Sequence, residues 1–381
     1  MIEQYRLTNE QKMLKETVRR MAREKIGPRA AKIDETGGFP WDVCEEFRTL
    51  GLFGLVFPEE YGGSDAGILS AALVLEEIAR VCSSSSLICA SPIVVGHIIL
   101  AKGDEGQKNK YLPTLASGKK MAAFALSEPE TESDVAGITT RAEKKGMQYV
   151  VNGTKCFVML ADVAGLLMVF AKTETGGEKE CINAFIIENN APGCSLSRTD
   201  KTLGTRAVTA CELIFNNCVI TEDNRIGDEG DGFSIAMKAM MVGCVVTAAR
   251  GLGLAQGALD YALEYSRKRI QFGRPISSFQ GIRFMLADMA MLTEAGRSIL
   301  YKACGETEQG GNEMRVPGLM AKCFVTDAAM KVTTDAVQIL GGYGYMKDHP
   351  VERMMRDAKL TQVIEGTNQM QRLLLGREIL V

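Results

Sequence analysis

The chain has 381 residues, 46% apolar and 24% charged, with a formal net charge of −3, a balance that supports a large core in two or three domains and excludes disorder. No basic stripe marks a nucleic-acid binder and no polybasic helix marks a membrane surface. Eleven scattered cysteines without a C-x-x-C pair, and only two histidines, His97 and His349, offer no zinc or other metal cluster.

Residues 1–119 read as a helical domain. Thr8 and Gln11 form a capping-box pattern ahead of Met13, Leu14 and Val18 at helical spacing. Pro40 and Trp41 open another helix, Glu59–Gly63 reads as a turn, and Ile68–Cys82 and Ser86–Lys102 are strongly apolar helices. The MIEQYRLTNEQK start has neither an apolar signal core nor transit-peptide character, so a cytoplasmic protein is expected. The longest apolar runs, Ser86–Ala101 and Ile235–Leu259, are interrupted by Pro92, Gly96 and His97 and by Lys238 and Arg250. Both read as buried helices rather than membrane spans. Cysteines such as Cys89, Cys156, Cys211, Cys244 and Cys323 sit in apolar segments, as reduced thiols do.

The texture shortens from Lys120, and residues 120–229 read as a β domain, a barrel or sandwich. Asn152-Gly153 in VVNGTKCFVM predicts a hairpin turn. Leu166–Ala171, Ala184–Glu188 and Ala210–Phe215 are further strands, and Gly227–Gly232 is a linker loop. Residues 230–381 then predict a four-helix bundle with helices over Phe233–Lys268, Ser278–Gln309, Val316–Leu340, Val351–Asp357 and Gln362–Ile379. The fold class is therefore α+β multidomain: helices, a β domain, then a helical bundle.

Several stretches carry chemistry. GLGLAQG (Gly251–Gly257) lacks a preceding strand, so close helix packing explains it better than a dinucleotide loop. Arg269 and Gln280 flank a turn at Phe272-Gly273, where a planar guanidinium suits a pyrophosphate and, equally, a helix C-terminus. Phe124–Asp134 runs from an apolar strand into a polar loop with Ser127 and Ser133, an ordinary loop or a donor set for a bound polar edge. Gln338–Tyr345 ends a helix on glycines. His97 reads as a core or interface residue, and nothing around His349 makes a triad. Near the C-terminus, Glu365 follows apolar Val363 and Ile364 and precedes Gly366. It reads either as a surface helix cap or as a base whose pKa an apolar pocket raises.

The order of these segments resembles the acyl-CoA dehydrogenase family, nearest its bacterial short-chain, butyryl-CoA dehydrogenase-like members. The resemblance spans the whole chain: FPEEYGG (Phe57–Gly63), ALSEP (Ala125–Pro129), NGTK (Asn152–Lys155), RIQFGRPI (Arg269–Ile276), QILGGYGY, PVERMMRDAK (Pro350–Lys359) and IEGTNQMQRL (Ile364–Leu373). It implies an N-terminal helical domain, a middle β domain and a C-terminal four-helix bundle. It also implies FAD, an acyl-CoA substrate, electron-transfer flavoprotein as partner, and a homotetramer.

On that resemblance Glu365 removes the α-proton while the β-hydride leaves for the flavin; some relatives carry the base at the position of Gly243. Phe124, Ala125, Leu126, Ser127 and Ser133 match the flavin-contacting strand and loop, and Phe157, Val158 and Met159 the segment against the flavin ring. Arg269 and Gln280 match residues that grip a neighbouring subunit's FAD. Gln338, Gly341, Gly342, Thr367, Asn368 and Gln369 match further FAD contacts. Ser133, Met241, Cys244, Ile364 and Gly366 match substrate positions.

Relatives place Trp at Phe157, Thr or Ser at Met159, Arg at Cys244 and Tyr at Ile364. The first two changes bear on the flavin, the last two on the substrate, and a smaller residue at 364 widens the acyl pocket. The absence of an Arg in Ser86–Lys102 favours a neutral acyl chain. The expected activity is FAD-dependent α,β-dehydrogenation of a short, branched or alicyclic acyl-CoA. The alternatives are an enoyl-CoA reductase running the reverse reaction and a non-catalytic FAD/CoA-binding subunit. An oxygen-using oxidase is disfavoured by the short C-terminus.

Overall fold

The computed structural model describes residues 7–131, 133–175, 179–308 and 315–380. Met1–Arg6, Glu132 of the Phe124–Asp134 loop, the expected helix end at Gln309, and Val381 lie outside them. The helical first part contains α1 (Asn9–Met21), α2 (Ala30–Thr36), α3 (Trp41–Thr49), α4 (Gly67–Ala79), α5 (Ser83–Lys102) and α6 (Glu105–Ala116). The predicted capping box forms: Thr8 Oγ1 accepts from Gln11 N and Gln11 Oε1 from Thr8 N. A second box, Asp104 with Gln107, starts α6, a helix the sequence reading did not delimit.

Helix α4 is buried nearly all round, including Glu76 and Glu77. Two buried carboxylates demand partners. Arg19 grips Glu77 with two bonds of 2.9 Å, and Tyr301, Lys15 and Arg297 converge on Glu76. These bonds tie α1 and the later bundle to α4.

The middle sheet holds β1 (Met121–Ala125), β2 (Arg141–Lys145), β3 (Gln148–Met159), β4 (Ala164–Thr175), β5 (Lys179–Glu188), β6 (Cys194–Asp200), β7 (Ala210–Thr221) and β8 (Arg225–Ile226). Its order is β6-β7-β3-β2-β4-β5-β8, with β1 beside β4 and parallel to it. Alternation along β4 serves two cores. Leu166, Met168 and Phe170 face α5, α6 and the coming helix; Leu167, Val169 and Ala171 pack with Tyr149, Val151 and Leu213 inside the sheet.

The hairpin expected at Asn152-Gly153 is not there. β3 runs straight through both residues, and the reversal from β2 lies at Gly146-Met147. Gly153 marks a bulge instead, at φ 151°, where an added Cβ would lie 2.7 Å from Thr140 Cα. The glycine answers a close approach of two backbones, which a turn signal read from a dipeptide cannot distinguish.

The last part contains α7 (Gly232–Lys268), a small hairpin β9 (Ile270–Gln271) and β10 (Arg274–Pro275), then α8 (Gln280–Glu308), α9 (Arg315–Leu340), α10 (Val351–Val363) and α11 (Asn368–Glu378). Helices α5 and α7 are each long and apolar enough to cross a membrane, but both pack mostly inside the protein. On α7, a Cβ at Gly253 would meet Ala79 Cβ at 2.7 Å, and one at Gly257 would meet the Arg80 carbonyl carbon at 3.0 Å. The GLGLAQG run is thus the seat of α4 on α7, as expected of close helix packing.

One helix boundary differs from expectation in a way that matters. Helix α10 passes Asp357 and ends at Val363, and the continuous helix expected over Gln362–Ile379 is broken before α11. Glu365 and Gly366 both have left-handed φ, 58° and 75°. A carboxylate residue held there costs on the order of 1–2 kcal/mol, so surrounding bonds must enforce it.

Candidate functional site

A cavity of about 650 Å³ opens between α5, the strand ends around Phe124 and Phe157, α7 and the Ile364–Thr367 break. The break presents Glu365 to this cavity. Its carboxylate lies against α7 where Gly243 leaves room: a Cβ at 243 would sit 2.5 Å from Glu365 Cδ. Burial pushes the Glu365 carboxyl up to about 7, although Lys322 and Arg250 pull it down. The surface-cap reading of Glu365 therefore gives way to that of a cavity carboxylate.

The break is held from below by Lys322, a buried cation on α9. Its Nζ donates to Gly366 O at 2.6 Å, Asn368 Oδ1 at 2.7 Å and Gln362 O at 3.3 Å. Asn368 Nδ2 in turn donates to Thr326 Oγ1 and Asp327 Oδ1, both at 2.8 Å, and Gln371 Nε2 donates to Glu365 O. Thr367 caps α11 by accepting from Met370 N. These bonds fix the left-handed turn. The sequence reading missed Lys322 and Gln371; the available signal was a lone cation in the otherwise apolar run Gly318–Val325.

The opposite wall comes from the sheet. A bulge in β3 puts Phe157 at φ 55° and leaves its ring half exposed on the cavity. Bulges next to sites re-aim side chains in this way. The loop after β1 is anchored by buried Glu128, which receives Lys155 Nζ at 2.8 Å, Thr139 N at 2.6 Å and Thr140 N at 3.0 Å. Burial alone would raise this carboxyl, but Lys155 and the threonine donors outweigh it and hold the group at about 2. Ser127, next to Glu128, is thereby positioned on a braced loop.

Of the expected residues, Phe124, Leu126, Ser127, Ser133, Phe157, Met159, Ile364, Glu365, Gly366 and Thr367 line the cavity together. Ala125 and Val158 point into the sheet core, because neighbours along a strand face opposite sides. Met241 and Cys244 form a small apolar cluster with Leu319 behind the wall, and burial pushes the Cys244 thiol far up. Asn368 is buried beneath the break and Gln369 is exposed beyond it. Arg269, Gln280, Gln338, Gly341 and Gly342 gather at a different end of the bundle, where Arg269 stacks over Tyr343 at 5.1 Å. His97 borders a second, small pocket with Ile93 and Val242, and His349 Nδ1 pairs with Tyr261 Oη at 2.8 Å.

The chain matches the N-terminal, middle and C-terminal domain models of acyl-CoA dehydrogenases over residues 8–119, 123–218 and 230–380. The chain belongs to the acyl-CoA dehydrogenase family. It is 44% identical to an acyl-CoA dehydrogenase of Bacillus subtilis, with 98% of this chain and 99% of that protein covered. It is 42% identical to a cyclohex-1-ene-1-carbonyl-CoA dehydrogenase of Syntrophus aciditrophicus, over 98% and 91%. Its fold matches butyryl-CoA dehydrogenase of Megasphaera elsdenii with a TM-score of 0.95 at 37% identity, each chain 99% covered. Membership makes the protein a flavin-dependent oxidoreductase of CH–CH groups, with FAD as the family cofactor.

The residues fit FAD. The cavity offers hydroxyls from Ser127, Ser133, Thr202 and Thr367 beside the half-exposed Phe157 ring. One buried polar atom there, Gln371 Oε1, has no partner among the described residues.

Proposed function

We propose that the protein dehydrogenates a short, branched or alicyclic acyl-CoA between its α- and β-carbons, with Glu365 as the base. The supporting observation is the Glu365 carboxylate, set on a fixed break in a largely apolar cavity, where burial pushes its pKa up to about 7. A base with that proton affinity can take an α-proton near neutral pH without first being trapped by solvent. Loop positioning by Lys322 and Gln371 keeps the carboxylate aimed, so little reorganisation is needed as charge develops. The Glu365 N–H supplies a donor for the thioester oxygen, where enolate charge accumulates. FAD, when bound, supplies the acceptor for the β-hydride. Ser127, Ser133, Phe157 and Met159 hold its ring, and Thr367 and the Phe124–Leu126 strand border it. Ile364 and Gly366 border the acyl chain.

Arg269 and Gln280 grip FAD across a subunit contact, Gln338, Gly341, Gly342 and Gln369 make further FAD contacts, and Asn368 braces the break beneath Thr367. An exposed apolar corner accompanies the first group: Phe272 is 91% exposed, Tyr345 81% and Phe284 60%. Such a patch on a monomer marks an interface, and we assign it to a homotetramer. Electrons leave to electron-transfer flavoprotein, and the protein is placed in the cytoplasm. Three units, 1–119, 120–229 and 230–381, carry these roles.

Anaerobic titration of the yellow protein with a panel of acyl-CoAs tests the reading. Loss of flavin absorbance in the wild type, abolished in Glu365→Gln with FAD retained, is the expected result. A flavin that no acyl-CoA bleaches would overturn it. Light scattering after size-exclusion chromatography checks the tetramer.

A further inference from the structure

Three helical stripes that wall the cavity continue past it and end on polar residues. On α7, Gly243 seats the Glu365 carboxylate, Val246 and Thr247 line the cavity, and Arg250 follows one turn on. On α5, Leu87 and Ala90 line the wall, and Ser83 precedes them by one turn. On α10, Leu360 and Val363 line it, and Asp357 lies one turn before Leu360. Residues three and four apart share a helix face, so these three polar side chains lie behind the lining, one turn beyond it on the same faces. The exposure gradient along α7 gives the direction. Phe233 at one end of the lining is 45% exposed, Val246 and Thr247 at the other are buried, and Arg250 is wholly buried.

Arg250 is underused. Nη2 donates to Ser83 Oγ at 3.2 Å, while Nε and Nη1 have no partner among the described residues. A buried guanidinium with unpaired N–H groups is costly unless an anion completes it. The nearest resident carboxylate does not: Asp357 Oδ1 is taken by Thr205 N at 2.5 Å. Burial pushes Asp357 up to about 6, so it is a reluctant anion as well. Ser83 opens the 20-residue α5, whose N-terminus has no side-chain cap and adds its own positive potential at the same place.

We propose that Arg250 is a specificity residue that receives a carboxylate at the far end of the acyl chain, so that the preferred substrate is the mono-CoA thioester of a short dicarboxylic acid. This rests on the acyl-CoA reading above and replaces its neutral acyl chain. No arginine stands on α5, where one was sought; the structure offers one on α7. Seven residues of helix separate Gly243 from Arg250, a rise of about 10 Å. With the reach of the guanidinium, that suits an acyl group of roughly five to seven carbons. A planar fork with free donors matches a carboxylate better than a lysine would.

Adipyl-CoA and hexanoyl-CoA, equal in carbon number, are the test pair on the FAD-loaded wild type and Arg250→Gln. The expected result is tighter binding and faster anaerobic bleaching by adipyl-CoA in the wild type. In Arg250→Gln the adipyl-to-hexanoyl ratio of kcat/KM should fall roughly ten- to hundredfold, the range for a hydrogen bond to a charged group. The fall should be carried by KM, with Arg250→Lys between the two. A wild type that binds hexanoyl-CoA more tightly than adipyl-CoA overturns the proposal, as does a ratio that the substitution leaves unchanged. If Arg250→Gln does not hold FAD, the wild-type comparison decides alone. Bleaching by neither compound, nor by any other acyl-CoA, defeats the dehydrogenase reading itself, and the two failures are thereby distinct.

Discussion

Two buried cations act on the Glu365 carboxylate from behind the cavity lining, and they are built in opposite ways. Lys322 spends its donors on three oxygens of the Gln362–Asn368 segment and leaves nothing for a ligand. Among the described residues Arg250 makes one bond, and its Nε and Nη1 have no partner. A saturated cation is part of the frame; an unsaturated one is a place for something to arrive. The cavity thus has a finished end, where a carboxylate is fixed in an unfavourable backbone conformation, and an unfinished end, where charge awaits a partner.

The largest effect should come from the carboxylate at the finished end. Glu365→Gln keeps shape and loses the base, so turnover should drop by about 10²–10⁴, while FAD content and the circular dichroism spectrum are retained. Wild-type turnover in that variant would place the base elsewhere. Next is the seat opposite it. Gly243→Val places a branched side chain where the Glu365 carboxylate lies. Displacement of a catalytic group by about 1 Å costs on the order of 10² in kcat, and stopped-flow bleaching measures it. An unchanged rate would mean that the carboxylate moves freely, against a fixed end.

Lys322→Met tests the frame. It strands buried acceptors, each worth roughly 1–3 kcal/mol, so the melting temperature should fall. It also removes the positive charge that holds the Glu365 carboxyl down. The base works ionised, so wild-type kcat should be low under acid conditions, rise through about pH 7 and level off above it. In Lys322→Met the rising limb should move to higher pH; a profile that stays put would assign Lys322 to stability alone. The smallest effect is expected at Ile364, which borders the cavity beside the base. Ile364→Tyr should narrow the pocket and shift preference from branched toward straight chains by about tenfold, the scale of a single apolar pocket contact. An identical substrate ranking would remove Ile364 from specificity.

The fold was largely legible because periodicity and glycine placement report local geometry directly. The GLGLAQG run was read correctly as helix packing, and the long apolar segments as buried helices. Asn152-Gly153 misled because the same dipeptide that closes a hairpin also relieves a bulge against Thr140. The helix across Glu365 misled for a related reason. A left-handed glutamate has no propensity signature of its own; it is imposed from 43 residues away by Lys322 and from below by Gln371. Met241 and Cys244 were expected at the substrate, but the turn of α7 that points Gly243 at Glu365 points them into the Leu319 cluster. Arg250 was read only as an interruption of an apolar run, since no sequence pattern reveals which buried donors lack acceptors.

The α4–α7 seat has a mechanical consequence. Backbone meets backbone at Gly253 and Gly257, with no side chain between them to swivel or compress. Helix α4 and the 37-residue α7 are therefore mechanically one beam, which carries Gly243 at one station and Arg250 two turns further on. The gap between the seat of the base at Gly243 and the deep cation is a length set by helical rise. A ruler of that kind sorts guests by reach. Amide exchange should show it: the central amides of α4 and α7 should open together, at the same rate and with the same denaturant dependence, and independent opening would mean the beam is jointed.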